Sequence, residues 1–274
     1  MMHTASRESY AAAAARLAAY AEGATPGAVA ATADEIGGVA QLLGREPRLR
    51  RALADPARAG QERAGLLRST LTGKVGEPAL DVLDALAGGR WSSAAELVTA
   101  AETLVVDGLL AAADAAGELA EVEDELFRFG QVVSGTSRLS ATLGDATVDP
   151  ARRIALVADL LGGRARPVTV QLVALAVRGF GGRGFESGLH RLVELAAEKR
   201  ERQVAYVTVA APMDADAQGR LAAALADQYG REVSMRFEVD PSVVGGMSVQ
   251  VGADLYDGTI ARRLAETRKA LTAR

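Results

Sequence analysis

The chain has 274 residues and a formal net charge of −4, so it lacks the basic excess typical of nucleic-acid-binding proteins. It contains no cysteine, which excludes disulfide bonds, thiolate nucleophiles and cysteine metal sites. Hydrophobic residues make up 49% of the chain but aromatic residues only 4%, which favours helices packed through small side chains. We expect two or three domains and no membrane span, because no uninterrupted apolar run reaches about eighteen residues.

The first part of the chain is predicted to be helical. Apolar residues recur at three- and four-residue spacing in segments 32–43, 61–71 and 79–87. A longer run, 93–133, has few helix breakers apart from Gly108 and Gly117, and it predicts a rod-like helix that links two bundles. We expect its acidic residues to form a solvated face, namely Glu118, Glu121, Glu123, Asp124 and Glu125.

The helical part contains an internal repeat. The segment ADEIGGVAQLLGREPRLRRAL, from Ala33, resembles EDELFRFGQVVSGTSRLSATL, from Glu123, with a constant offset of 90 residues (34 to 124). The offset persists at two further pairs of identical residues, Arg63 with Arg153 and Gly73 with Gly163. It then slips by about three residues, so that Arg90 falls near Arg183. Sustained register across several helices predicts a duplicated helical bundle.

The apolar period changes from helical to alternating near residue 203. QVAYVTVAAPM predicts a strand, DADAQGRLAAALADQYG a helix, and EVSMRFEVDP a second strand. Met247, Val249 and Val251 alternate with polar residues and predict a third strand. Asp257 is predicted to cap a final helix that carries Ile260, Leu264 and Leu271.

These patterns predict a mainly α protein with a small α+β module of β-α-β-β-α order. We expect a first helical bundle at residues 1–112, a second bundle that repeats it at 113–202, and the α+β module at 203–274.

Glycines beside arginines at the C-terminus raise the alternative of a phosphate- or ligand-responsive regulatory protein. Gly245 and Gly246 would form the binding loop, and Arg262 and Arg263 would contact the ligand. A phosphate loop, however, places its glycines at the start of a helix, whereas this pair leads into a strand. A tight turn that needs positive φ explains the glycines more simply.

Two further segments have a superficial nucleic-acid signature. RGFGGRGFESG, 178–188, resembles an RNA-binding motif, and GREPRLRR, 44–51, is basic. The first lies between two helical patterns, so we interpret it as a bundle loop closed by an aromatic residue. The second lies at a helix start, and we interpret it as a solvated face, with an acidic partner surface as the next alternative. An RNA-binding adaptor is a third, weaker alternative. No residue set has the spacing of an active site, so we expect no catalytic residues, no metal site and no cofactor.

The C-terminal residues resemble the F-type ATP synthase delta subunit family, which includes the mitochondrial oligomycin sensitivity-conferring protein. The resemblance lies in a string of Asp-Pro-Ser, a glycine pair, a strand, Asp-Gly and a basic helix. The matching residues here are Asp240, Pro241, Gly245, Gly246, Gly252, Asp257, Gly258, Arg262 and Leu264. Thr259 departs mildly from the serine that the family usually carries. Both ends of the chain resemble the family, and its extra length suits an extended, actinobacterial form.

This resemblance implies a non-catalytic stator subunit of the peripheral stalk. It implies that a helical bundle binds the N-terminal helix of an F1 α subunit and that the C-terminal module binds the end of the b subunit. Such a link resists rotor torque and keeps proton flow coupled to ATP synthesis. The implied location is the cytoplasmic face of the bacterial cell membrane, peripheral to it, without nucleic acid or a direct membrane span.

Overall fold

A computed structural model of the chain describes residues 3–201, 204–229, 233–240, 243, 245–251, 254–260 and 262. The chain divides into two compact units, one spanning Met1–Ala196 and the other Ala197–Arg274. The first is helical, and the second contains a four-stranded mixed sheet, so the predicted fold class is confirmed. None of the described helices is both long and apolar enough to cross a membrane.

Eleven helices build the helical unit, and prolines stand in the first turn of several of them, where a missing N–H costs nothing. The helices are α1 (Thr4–Gly23), α2 (Pro26–Arg45), α3 (Pro47–Leu53), α4 (Gly60–Leu71), α5 (Glu77–Gly88), α6 (Ala94–Ala115), α7 (Leu119–Ser134), α8 (Ser137–Gly144), α9 (Pro150–Leu161), α10 (Pro167–Val177) and α11 (Phe185–Glu201). A 3-10 turn, Phe180–Gly182, separates α10 from α11.

The rod-like helix predicted over 93–133 is wrong, because the structure has two helices there, α6 and α7. Gly117 adopts a positive φ of 72° and ends α6. The N–H of Gly117 donates to the carbonyl of Asp114 (2.9 Å), and the N–H of Glu118 donates to the carbonyl of Ala113 (2.8 Å). These two bonds form a Schellman motif, a common way to satisfy the last carbonyls of a helix. The apolar spacing is similar on both sides of the break, so periodicity alone did not reveal it.

The helical elements recur at the offset found in the sequence. Shifting α4 by 90 residues gives the bounds of α9, and α3 and α5 map within a residue onto α8 and α10. Gly73 and Gly163 follow the paired helices α4 and α9 with positive φ values of 76° and 69°. The correspondence ends at the 3-10 turn, where the second copy has about three additional residues.

Helix α6 is buried on nearly all sides, which is the pattern of a helix inside a core rather than at its surface. It packs against α1 and α2 on one side and against α10 and the 3-10 turn on the other. One continuous hydrophobic core extends from Ala13 in α1 to Ala196 in α11. The predicted boundary between residues 112 and 113 falls inside this helix, and the division into two bundles stays a prediction.

The second unit is built on β1 (Val204–Val209), α12 (Ala215–Tyr229), β2 (Ser234–Val239), β3 (Met247–Val251) and β4 (Asp254–Asp257). The strand order is β2-β1-β3-β4, with β1 parallel to β2 and the other pairs antiparallel. Val207, Val249 and Leu225 form part of its core. Strand β4 was not predicted, because four residues with an aspartate at each end are too short to show a period.

Candidate functional site

The two glycine motifs of the C-terminal unit contact each other through their backbones. Gly245 and Gly246 have φ values of 93° and 83°, and a Cβ built on Gly246 would lie 2.5 Å from the carbonyl oxygen of Gly258. The N–H of Gly258 donates to Met247 (2.9 Å), and the N–H of Ile260 donates to Gly245 (3.1 Å). The glycine pair is therefore required by a turn and a close backbone approach, and it leads into strand β3 as predicted.

Asp257 is not the N-cap that the sequence predicted. It is the last residue of β4, and its Oδ1 accepts the N–H of Thr259 (3.0 Å). Thr259 takes the capping role, since its Oγ1 accepts the N–H of Arg262 three residues later (3.4 Å). The hydrogen bonds from Thr259 lower the pKa of the Asp257 carboxyl. Serine, the usual family residue at this position, could make the same cap, so Thr259 is a conservative difference.

The structure brings most of the predicted motif residues to one end of the sheet. Asp240 follows β2, and its N–H donates to the carbonyl of Val209 (2.9 Å). Arg262 lies in the first turn of the final helix, of which Ile260 and Arg262 are described. Pro241, Gly252 and Leu264 lie outside the described residues.

The sheet also presents apolar side chains on the face opposite its core. Tyr206, Gln250 and Leu255 lie in one row across β1, β3 and β4. Tyr206 and Leu255 are both exposed. An exposed aromatic and an exposed leucine in one row form a candidate contact surface for a partner.

In the helical unit, residues from both copies of the sequence repeat line one cavity. Helix α2 packs closely on α6, and α2 and α10 line opposite sides of a cavity of about 220 Å³. Gly37 lies at the α2–α6 interface, where a Cβ would be 3.6 Å from Val105 of α6, an ordinary van der Waals distance. Asp34, Gly37 and Gln41 of α2 line this cavity together with residues of α6 and α10, and we call this arrangement the inter-repeat contact.

Three charged residues, Asp34, Glu102 and Arg178, border the cavity. Burial raises the pKa of the Glu102 carboxyl, which accepts the N–H of Gly181 (2.8 Å). Desolvation lowers the pKa of the Arg178 guanidinium, and the nearby Asp34 opposes that shift. Glu102 and Arg178 could not be predicted as neighbours, because they are 76 positions apart and neither belongs to a motif.

The groove between α6 and α10 has a counterpart in the first repeat, between α1 and α5. Helix α1 packs on α5 as α6 packs on α10. Ser9 of α1 accepts the N–H of Arg90 just after α5 (2.7 Å), as Glu102 of α6 accepts that of Gly181 after α10. Arg16 and Asp81 form an ion pair (2.5 Å) between α1 and α5. Ala12, Arg16 and Asp81 are exposed along this first groove.

Buried polar residues fix the loops of both repeats. Arg63 is 3% exposed, and its guanidinium donates to the carbonyls of Asp55, Arg58, Ala87, Gly88 and Gly89. Its counterpart Arg153 donates to the carbonyls of Leu143 and Val148. The sequence paired these arginines but gave no indication of their structural role, because the acceptors are backbone carbonyls.

Two of the acidic residues assigned to a solvated face bind α10 instead. Glu125 accepts the N–H of Arg166 and the hydroxyl of Thr169, and Glu118 forms an ion pair with the Arg166 side chain (2.7 Å). That assignment is therefore wrong for Glu118 and Glu125. Glu121 and Asp124 are exposed, as predicted.

The segments with a nucleic-acid signature are occupied by structural contacts. Phe180 and Phe185 are buried, so their rings are not available for stacking on bases. Trp91 of the corresponding loop is also buried and donates to the carbonyl of Leu86 (2.9 Å). In the basic segment, Arg50 donates to the carbonyls of Leu43 and Gly44 at the end of α2. Loop closure, rather than RNA binding, accounts for these residues.

The chain matches known proteins along its whole length. The model of the ATP synthase delta (OSCP) subunit family matches residues 106–271. The ATP synthase subunit delta of Salinispora arenicola is 61% identical over 100% of both chains. That of Streptomyces avermitilis is 46% identical over 98% of both. A chain from the Toxoplasma gondii mitochondrial ATP synthase hexamer is 18% identical, covers 63% of this chain and 98% of its own, and has a TM-score of 0.37.

Proposed function

The chain belongs to the ATP synthase delta (OSCP) subunit family, and we propose that it is the stator subunit that links the F1 α subunits to the b stalk. In that role it is non-catalytic: it resists rotor torque, so that proton flow remains coupled to ATP synthesis. The observation that carries the proposal is the 61% identity to an ATP synthase subunit delta over both full chains. Nothing favours the phosphate-responsive alternative, since the glycine pair contacts the Asp257–Gly258 turn and precedes a strand.

We assign the N-terminal helix of an F1 α subunit to the groove between α1 and α5. The inter-repeat contact is a partial internal precedent, because α2 packs on α6 and lines a cavity with α10, which is the equivalent wall in the second repeat. There α2 packs on α6 and leaves a cavity of about 220 Å³ on the side of α10. The first groove has the same helical walls, and its exposed alanine Ala12 leaves room for a helix to approach.

We assign the end of the b subunit to the C-terminal unit. The row formed by Tyr206, Gln250 and Leu255 supplies apolar area and a hydrogen-bonding amide on one face of a sheet. Two separate contacts on one chain would hold the stator more firmly than either contact alone, through effective concentration. A peripheral position at the cytoplasmic face of the membrane follows from binding both partners.

The proposal is tested by titrating the full chain with two peptides from the same genome, the N-terminal segment of α and the C-terminal segment of b. The full chain is needed because a fragment ending near Leu110 would cut helix α6. Ala12→Glu places a charge in the first groove and is expected to weaken α binding at least about tenfold. Ala18→Glu, at another exposed position of the same helix, is the matched control and should bind normally.

Leu255→Asp is the corresponding variant for the b peptide. We expect it to weaken b binding and to leave α binding unchanged. Failure of the folded wild-type chain to bind either peptide would contradict the stator function. Equal binding by the Ala12→Glu variant and the wild type would contradict the groove assignment alone.

A further inference from the structure

The cavity between α2, α6 and α10 has charged side chains at one end and apolar side chains at the other. Glu102 of α6 accepts the N–H of Gly181, which lies three residues after Arg178 of α10, so the two charged side chains share one end. Leu109 and Val170 lie seven and eight residues away along the same two helices, about 10–12 Å at 1.5 Å per residue. They therefore line the other end.

The polar side chains of this cavity have hydrogen-bonding capacity that the described residues do not use. Gly181 bonds one carboxylate oxygen of Glu102, and no described residue bonds the other. The guanidinium of Arg178 and the side-chain amides of Gln41 and Gln171 make no hydrogen bond within the described part of the chain. A few convergent polar groups in a mainly apolar cavity are the usual composition of a ligand site.

The two charges at the polar end are separate from each other. Arg178 lies at the rim, where it is exposed, whereas Glu102 is half-buried. Burial raises the pKa of the Glu102 carboxyl and desolvation lowers that of the Arg178 guanidinium, so an opposite charge brought to either one would stabilise it. They do not neutralise each other, because no ion pair within 4.0 Å joins them. Asp34 and Arg45 act on Arg178 in opposite directions.

From this geometry we propose that the cavity binds a small zwitterion with an apolar body, of the class of α-amino acids with an apolar side chain. Its carboxylate pairs with Arg178, its ammonium group pairs with the second oxygen of Glu102, and its apolar body extends towards Leu109. Glu102, Val105 and Leu109 recur at three- and four-residue spacing on one face of α6, so the charged head and the apolar body of such a ligand lie in line. The cavity of about 220 Å³ is large enough, since an apolar cavity of about 150 Å³ holds benzene.

This site is separate from the groove between α1 and α5 and from the exposed row on the sheet, and it does not rest on the stator function. Its lining comes from α2 in the first copy of the repeat and from α9 and α10 in the second. A ligand held there contacts both copies and stabilises the folded helical unit by mass action.

The test titrates the full chain by isothermal titration calorimetry with L-phenylalanine, L-leucine and two analogues of phenylalanine, at concentrations up to about 10 mM. Phenethylamine lacks the carboxylate, and 3-phenylpropionate lacks the ammonium group. Glycine, which has no apolar body, is the ligand control. We expect saturable binding of L-phenylalanine or L-leucine, at least about tenfold weaker binding of each analogue than of its parent, and no binding of glycine.

Two variants assign the contacts. Arg178→Gln should weaken amino-acid binding at least about tenfold and leave phenethylamine binding unchanged, because phenethylamine has no carboxylate. Glu102→Gln keeps an acceptor for Gly181 and should weaken binding of the amino acid and of phenethylamine, but not of 3-phenylpropionate. Arg152→Gln and Glu121→Gln remove the same charges at exposed positions outside the cavity and should bind as the wild type does. Circular dichroism and thermal unfolding verify that all four variants are folded.

The outcomes are distinct. Losses confined to the expected pairs of ligand and variant would support the site. If neither amino acid binds saturably to the folded wild-type chain, or if both cavity variants bind as tightly as the wild type, the site is overturned. Binding of 3-phenylpropionate as tight as that of L-phenylalanine would also overturn it, because the ammonium group would then contribute nothing. None of these results bears on the stator function, which the α and b peptides test separately.

Discussion

Glu125 of α7 accepts a hydrogen bond from the backbone N–H of Arg166 at 2.9 Å, just before α10 begins. Glu35 of α2 accepts the same bond from Gly76 at 3.0 Å, just before α5 begins, and both pairs are 41 residues apart. Each carboxylate satisfies an N–H that its helix leaves without an internal partner. The two repeats thus share a tertiary helix cap as well as an apolar pattern, which supports their origin by duplication.

Removing either carboxylate should destabilise the helical unit. We expect Glu35→Ala to lower the free energy of unfolding by about 1–2 kcal/mol, because the Gly76 N–H loses a charged acceptor. Glu125→Ala should cost more, since Glu125 also accepts the Thr169 hydroxyl (2.5 Å). Urea unfolding measures both. Glu121→Ala, an exposed change on α7, should fall within about 0.5 kcal/mol of wild type, and equal values for all three variants would contradict the caps.

The buried arginines should differ in their contribution to stability. Arg63→Met removes donors to five carbonyls, and we expect a loss of about 3 kcal/mol or more. Arg153→Met removes donors to two and should cost roughly half as much. The exposed Arg152→Met is the control. If Arg153→Met lowers the free energy of unfolding more than Arg63→Met does, the number of carbonyl contacts does not determine how much each arginine contributes to stability.

Gly246→Ala should destabilise the C-terminal unit by about 1–3 kcal/mol, because the new Cβ meets the Gly258 carbonyl and because φ is positive. Gly219→Ala is the control, at an exposed helical position in α12 with nothing within 4 Å of the new Cβ. It should stabilise by about 0.5–1 kcal/mol. Thermal unfolding followed in the C-terminal unit distinguishes the two. A tolerated alanine at 246 would mean that the two turns do not require their close approach.

Glu102 and Glu96 of α6 should give opposite pH dependences. Burial raises the folded pKa of Glu102 above its unfolded value of about 4.3, so its contribution to stability falls as pH rises through the folded pKa. Glu102→Gln keeps an acceptor for Gly181 and should therefore gain stability relative to wild type as pH increases from 4 towards neutrality. Hydrogen bonds from Ser6 and His3 lower the pKa of Glu96.

The stabilising contribution of Glu96 is accordingly present above its unfolded pKa and is lost as pH falls. Glu96→Gln should be less stable than wild type at neutral pH and should approach it in acid. Unfolding at a series of pH values measures both variants. Parallel profiles for wild type and Glu102→Gln would show that this carboxyl is not shifted by its surroundings.

The features that depend on the spacing of apolar residues could be predicted from the sequence. The change from helical to alternating spacing near residue 203 located the sheet, and the repeat of Asp34-Glu35 at Asp124-Glu125 predicted which helices would correspond. It did not predict the Schellman end at Gly117, because an apolar stripe continues through a change in helix direction. The cap at Thr259 was also missed, since Asp257 is an equally good capping residue and only the backbone geometry separates them.

The exposed side chains and the cavity were beyond the reach of the sequence for a different reason. Phe127 has the spacing of a residue that faces away from the core, and its side chain is 52% exposed. Glu102 and Arg178 line one cavity because α6 and α10 pack together, and that packing leaves no local pattern in either segment.

Helix α6 gives the helical unit an unusual mechanical property. Tandem domains are ordinarily joined by a linker, and a linker under a twisting load bends before the domains do. Here the joint is a core helix, with Leu104 and Leu109 fully buried. A twist applied at one end of the helical unit would strain the packed side chains of the core rather than rotate one part of the unit relative to the other. The second repeat could thus lengthen the stator without making it more elastic.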